Sequence, residues 1–151
     1  MSMQTSIGEE NLPRLGKAKR ILIIEDEPTI ADYLSIYCRA EGYEVSYERD
    51  GLEGLACFQA EQPDFVLLDL KLPKISGLEV LRCIREDERT RLLPVIVLSS
   101  SDEEKDILRT YELGVNSYIL KPTDFSEFTE AARQVGVYWL TLNQVPRNKS
   151  A

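Results

Sequence analysis

Three uninterrupted apolar tetrads, Ile21–Ile24, Phe65–Leu68 and Val95–Leu98, constrain the fold of this chain more than any other feature. Each is too short for a helix, and prolines bound them: Pro63 and Pro73 flank the second, and Pro94 precedes the third. Runs of this kind read as strands buried on both faces of a parallel sheet. Each stops at a polar residue: Glu25-Asp26-Glu27, Asp69 and Ser99. Two weaker runs, Tyr43–Tyr47 and Ser117–Leu120, read as further strands, the first at an edge and the second ending at Lys121-Pro122.

Helical periodicity fills the intervals. Ile30, Tyr33, Leu34, Tyr37 and Cys38 form one stripe behind Pro28, with Gly42 as the stop. Leu52, Leu55 and Ala56 are expected to face inward from a second helix opened by Asp50-Gly51. Leu78, Leu81 and Ile84 play that part in a third helix, opened by Gly77. Ile107, Leu108 and Tyr111 do so in a fourth, which Asp102 can cap and Gly114 ends. Phe125, Phe128, Ala132, Val135 and Trp139 line a last helix started by Thr123 or Asp124. Five strand–helix units with right-handed crossovers make a doubly wound α/β domain. Residues 1–19 read as a flexible arm, 20–142 as the domain and 143–151 as a polar tail.

Counts exclude several chemistries. The 151 residues contain no histidine, so imidazole catalysis and His-ligated zinc are out. Cys38, Cys57 and Cys83 lack C-x-x-C spacing and read as small hydrophobes of a reducing compartment, and no apolar run approaches a membrane span. A cytoplasmic location is expected, with no membrane contact. Net charge is −8, and residues 1–20 are themselves +2, so the remainder is more acidic still. Such a surface disfavours direct nucleic-acid binding.

A parallel sheet brings the strand ends to one rim, where ligand chemistry sits in open α/β folds. A lone strand-end aspartate is more often the start of a turn. Here Glu25, Asp26 and Asp69 would meet Ser99 and Lys121. Carboxylates so close need a positive charge. With oxygen ligands alone the natural ion is Mg²⁺, with Mn²⁺ as an alternative. Lys121, Ser99 and backbone amides can receive phosphoryl oxygens, and Asp69 is placed to be a carboxylate nucleophile. Glu27, just before Pro28, fits a plainer part as a helix-start acid.

These motifs together resemble the receiver domain of bacterial two-component response regulators. The match spans about residues 20–140: Ile-Glu-Asp-Glu-Pro at 24–28, Leu-Leu-Asp-Leu at 67–70, Leu72-Pro73, Ser76-Gly77-Leu78, the Ser99 strand end, and Tyr118-Ile-Leu-Lys121-Pro122. The resemblance implies a flavodoxin-like five-stranded sheet of order 2-1-3-4-5. It implies that Asp69 is the phosphoacceptor, that Asp26 ligates Mg²⁺ directly and Glu25 through water, and that the Lys71 carbonyl is a further ligand. Ser99 would be the switch hydroxyl, Tyr118 the rotating aromatic and Lys121 the phosphoryl-binding lysine, with a cis bond to Pro122. Glu25 and Ser99 stand where Asp and Thr are commoner. Ser100 replaces a frequent Ala, which would slow access, and Lys71 and Ser101 sit where acyl-phosphate lifetime is tuned.

The implied partners are a histidine kinase or phosphotransfer protein and a downstream protein target. The 111–118 run and the Trp139 tail resemble stand-alone, phytochrome-associated receivers, implying a homodimer through the fourth helix, fifth strand and fifth helix. The implied chemistry is self-phosphorylation and slow self-dephosphorylation, without turnover of other substrates. Two alternatives compete: a pseudo-receiver that binds without phosphorylation, and a metal-dependent phosphohydrolase. The second expects an acid–base aspartate two positions after Asp69, where this chain has Lys71. Tyr138-Trp139 reads as core or interface, and Arg85 to Arg89 as a solvated helix end.

Overall fold

The computed structural model describes residues 19–136, 138 and 139, apart from the Phe125 side chain. The arm and tail expectations fall almost wholly outside them. Five strands, β1 (Arg20–Ile24), β2 (Glu44–Glu48), β3 (Phe65–Asp69), β4 (Val95–Ser99) and β5 (Ser117–Leu120), alternate with five helices. These are α1 (Pro28–Ala40), α2 (Gly51–Glu61), α3 (Gly77–Glu86), α4 (Glu104–Glu112) and α5 (Phe125–Val135). All neighbouring strands are parallel, in the order β2-β1-β3-β4-β5.

The alternating strand residues feed two cores. Leu22, Ile24, Val66, Leu68, Val95 and Val97 pack with Phe58 of α2 and Val80, Leu81 and Ile84 of α3. Ile21, Ile23, Phe65, Leu67, Ile96 and Leu98 pack with Leu34 and Cys38 of α1 and Phe128 and Ala132 of α5. Both cores are continuous because β1, β3 and β4 are covered on each side, which is why their sequences do not alternate. Trp139 joins the second core, its ring 6.0 Å from that of Phe65, whereas Tyr138 is half exposed.

The helix starts follow local chemistry. Asp50 and Ser76 accept from the amides of Glu53 and Glu79, and Asp124 caps α5 through the amide of Ser126. Asp102 does not cap α4. Glu103 is the N-cap and makes no side-chain cap bond, while Ser101 Oγ accepts from the Glu103 amide (3.3 Å) and donates to Asp106 Oδ2 (2.5 Å).

Two inward faces differ from expectation. Leu52 and Ala56 are exposed, and α2 instead buries Gly51, Gly54 and Phe58. A Cβ on Gly54 would lie 2.6 Å from Ile24 Cδ1, so the helix approaches the sheet through a residue without a side chain. On α4, Leu108 and Tyr111 are 57% and 50% exposed, and Thr110 is buried with its Oγ1 donating to the Asp106 carbonyl at 2.6 Å.

Arg85 is only partly exposed. Its guanidinium donates to the carbonyls of Gly114 and Leu93, both at 2.8 Å, and to Asn116 Oδ1 at 2.9 Å. That Asn116 oxygen also accepts from the Val95 amide (2.8 Å), so one arginine ties the end of α3 to the starts of β4 and β5. The exposed Asp87–Arg89 pair does match a solvated helix end.

Candidate functional site at the carboxyl rim

β1 lies between β2 and β3, so the chain reverses direction across the sheet between β2 and β3. Such reversals leave a crevice beyond the strands' carboxyl ends. Register then decides what lines it. Ile24 pairs with Leu68, placing Glu25 beside Asp69. Asp69 pairs with Leu98, and Ser99 with Leu120, so Ser99 and Lys121 follow in turn.

The side chains converge as the register dictates. Carboxylate oxygens of Glu25, Asp26 and Asp69 all lie within 4.8 Å of one another. Lys121 Nζ sits 3.0 Å from Glu25 Oε1, 3.3 Å from Asp69 Oδ2 and 3.2 Å from Glu27 Oε1. The Lys121 side chain is only 8% exposed. One buried ammonium therefore faces three carboxylates, with that of Asp26 grouped close by.

The electrostatic consequences are direct. Burial, then the charge of Asp69, pushes the Glu25 carboxyl up to about 7. Burial likewise raises Asp69, against the pull of Lys121. For Lys121 burial works toward a lower pKa, but Glu25 and Asp69 together outweigh it and hold the amine above its ordinary value. Glu25 Oε1 is buried without a hydrogen bond, although it lies at ion-pair distance from Lys121. A clustered, under-compensated set of hard oxygens fits a divalent cation.

The loops hold this arrangement. Asp69 Oδ1 accepts from the Lys71 amide at 3.3 Å, and Glu25 Oε2 from that of Glu27 at 3.2 Å. Gly77 packs against the backbone after β3; a Cβ there would lie 2.2 Å from the Asp69 carbonyl oxygen. Ser99 is fully buried and its Oγ accepts from the Ser101 amide at 3.1 Å. Tyr118 is partly buried and its hydroxyl donates to the Ser101 carbonyl at 2.7 Å. Ser101 thus joins the site hydroxyl, the tyrosine and the start of α4.

One expected feature is absent. The Lys121–Pro122 bond is trans, as no cis peptide occurs among the described residues. Trans is the intrinsically favoured isomer by roughly 0.5–1 kcal/mol, and Lys121 reaches all three carboxylates with it. Two roles escaped sequence reasoning, that of Glu27 and that of the Ser101–Asp106 pair. Glu27 is the N-cap of α1 but caps nothing with its side chain, which turns to Lys121. The signal was the unbroken Glu25-Asp26-Glu27 run beside a distant strand-end lysine. The Ser101–Asp106 pair carried no distinguishing signal.

Comparison with known proteins decides the family. Residues 21–133 match the response regulator receiver domain. The chain belongs to that family. The receiver is 40% identical over 114 residues to the DNA-binding dual master transcriptional regulator RpaA of Synechocystis sp., covering 76% of this chain and 47% of that protein. It is 35% identical over 134 residues to the Probable methanogenesis regulatory protein FilR2 of Methanothrix harundinacea, covering 83% and 86%. The chain thus spans about half the length of the first relative and most of the second. Among solved structures, the receiver superposes on the Mn(2+)-bound form of response regulator Rcp1 with a TM-score of 0.80 at 31% identity, covering 85% of this chain and 99% of that one. The phosphorylated cyanobacterial phytochrome response regulator RcpA gives 0.80 at 33% identity, covering 86% and 99%. The resemblance to phytochrome-associated receivers therefore holds. Among the described residues, no helix is long and apolar enough to cross a membrane.

Proposed function

We propose that Asp69 accepts a phosphoryl group from a histidine kinase or phosphotransfer protein, and that the modified receiver switches a protein-binding face. The observation that carries this reading is the buried Asp69 carboxylate at the end of the central strand, grouped with Glu25 and Asp26 and facing the Lys121 ammonium at 3.3 Å. The recorded phosphorylation of RcpA and the Mn²⁺ bound by Rcp1 support it.

Asp26 and Asp69 would hold Mg²⁺ or Mn²⁺ directly, with the Lys71 carbonyl as a further ligand and Glu25 through water. When bound, the cation supplies positive charge to offset the carboxylates and the phosphoryl oxygens. An Asp69 carboxylate oxygen attacks phosphorus. The bond from phosphorus to the donor's imidazole nitrogen breaks, its electron pair stays on that nitrogen, and the product is an aspartyl phosphate. Lys121 receives one phosphoryl oxygen by a charge-assisted hydrogen bond.

Phosphorylation adds roughly −1.5 to −2 charge at the rim. Ser99 Oγ turns to donate to a phosphoryl oxygen and ceases to accept from the Ser101 amide. Ser101 is bonded to Tyr118 and to Asp106, so that movement is felt at β5 and at the start of α4. A shift from 1:99 to 99:1 requires about 5.5 kcal/mol of differential interaction, drawn from these contacts and from repacking of Tyr118. The remodelled face comprises α4, β5 and α5, and we assign it to a homodimer or a downstream partner.

The test is intact mass after incubation with Mg²⁺ and acetyl phosphate. Wild type gains one phosphoryl group and Asp69→Asn gains none. A wild type that stays unmodified under conditions that retain its fold would favour a receiver fold working without phosphorylation.

A further inference from the structure

Glu27 stands apart from the other acids at the rim. As the N-cap of α1 it has the extended backbone (φ −91°, ψ 112°) from which a short polar side chain would cap the helix, yet it makes no cap bond. Its carboxylate turns to Lys121 and accepts from Nζ at 3.2 Å. Among the three carboxylates around that amine it is the exposed one, at 60% side-chain exposure against 2% for Glu25 and 6% for Asp69.

A lysine ammonium has three N–H donors. Nζ donates to Glu25 Oε2 at 3.1 Å and to Glu27 Oε1 at 3.2 Å and lies 3.3 Å from Asp69 Oδ2, so an arriving phosphoryl oxygen competes with these carboxylates for the amine. Release of Glu25 would strand a buried charge, and Asp69 is the acceptor itself. Release of Glu27 returns an exposed carboxylate to water, the smallest cost of the three.

We infer that Glu27 is a positioning residue that holds Lys121 in the unphosphorylated receiver and must let go of it as the phosphoryl group arrives. The inference rests on Asp69 being the phosphoacceptor. It makes Glu27 a brake on phosphorylation, because the side chain occupies the lysine and adds a negative charge where an anionic donor must approach. Glu27 lies outside the Glu25, Asp26 and Asp69 group, so its replacement removes none of those carboxylates.

The experiment compares wild type, Glu27→Gln and Glu27→Ala, each with saturating Mg²⁺ and acetyl phosphate, following initial phosphorylation rate by intact mass at low and high salt. Both variants should be phosphorylated about three- to tenfold faster at low salt, and the gap should narrow at high salt as the charge is screened. A merely structural Glu27 would shift thermal stability without this salt-dependent acceleration. Rates equal to or below wild type, with wild type phosphorylated normally, overturn the inference and leave the assignment of Asp69 intact. A wild type that gains no phosphoryl group overturns both.

Discussion

At the scale of single residues, the site is governed by too many carboxylates for one ammonium. Glu25 shows the result, its carboxyl raised by burial and by Asp69 from 4.5 to about 7. A raised carboxyl pKa means that the folded protein binds a proton more tightly than the unfolded chain. This contribution to stability is complete below about pH 4.5 and is lost as pH rises through 7; Asp69, also raised, acts in the same sense. Metal-free receiver should therefore show a melting temperature that falls between pH 5 and pH 8. Glu25→Gln should flatten that slope, and saturating Mg²⁺, which favours the ionised carboxylates, should cancel or reverse it. Scanning calorimetry across this range in the presence of a chelator checks the sign. The identities of these residues were legible from the strand ends. What Glu27 does was not, because whether an acid before a proline caps its helix or turns to a lysine 94 positions away is decided only in three dimensions.

At the scale of elements, the sequence marked every strand and helix, because buried strands and amphipathic helices differ in period. It misjudged the inward faces of α2 and α4. Where a helix approaches the sheet closely, the contact residue must be small, so Gly54 occupies a position that a hydrophobic pattern assigns to leucine. On α4 the buried position is Thr110, whose hydroxyl is satisfied within its own helix. Arg85 was likewise hidden in a charged run, although it serves carbonyls from two separate loops. Replacing it with leucine removes the arginine donor from those carbonyls and leaves Asn116 Oδ1 with the Val95 amide alone. It should lower stability by roughly 2–4 kcal/mol, with an unchanged m value in urea unfolding. The trans Lys121–Pro122 bond shows the complementary limit, since an isomer taken from resemblance was not dictated by any residue here.

At the scale of the whole molecule, the topology collects distant residues at one rim and connects that rim to a face. The same register that aligns Glu25, Asp69, Ser99 and Lys121 also places Tyr118 and the start of α4 within two hydrogen bonds of the site hydroxyl. α4 carries exposed Leu108 and Tyr111 three residues apart, on neighbouring positions of its outer surface, and β5 ends in half-exposed Leu120. If this face associates after phosphorylation, light scattering should show a rise in mass with Mg²⁺ and acetyl phosphate. Leu108→Glu and Tyr111→Glu should abolish that rise while leaving phosphorylation intact. Switching through this rim depends first on where the phosphoryl group is held. An acyl phosphate is an activated carboxyl that borohydride reduces to an alcohol, so peptide mass mapping after such reduction reads the modified position directly. The expected result is homoserine at residue 69 and unchanged aspartate everywhere else. Reduction at another carboxylate, with Asp69 intact in a protein that had gained a phosphoryl group, would contradict it.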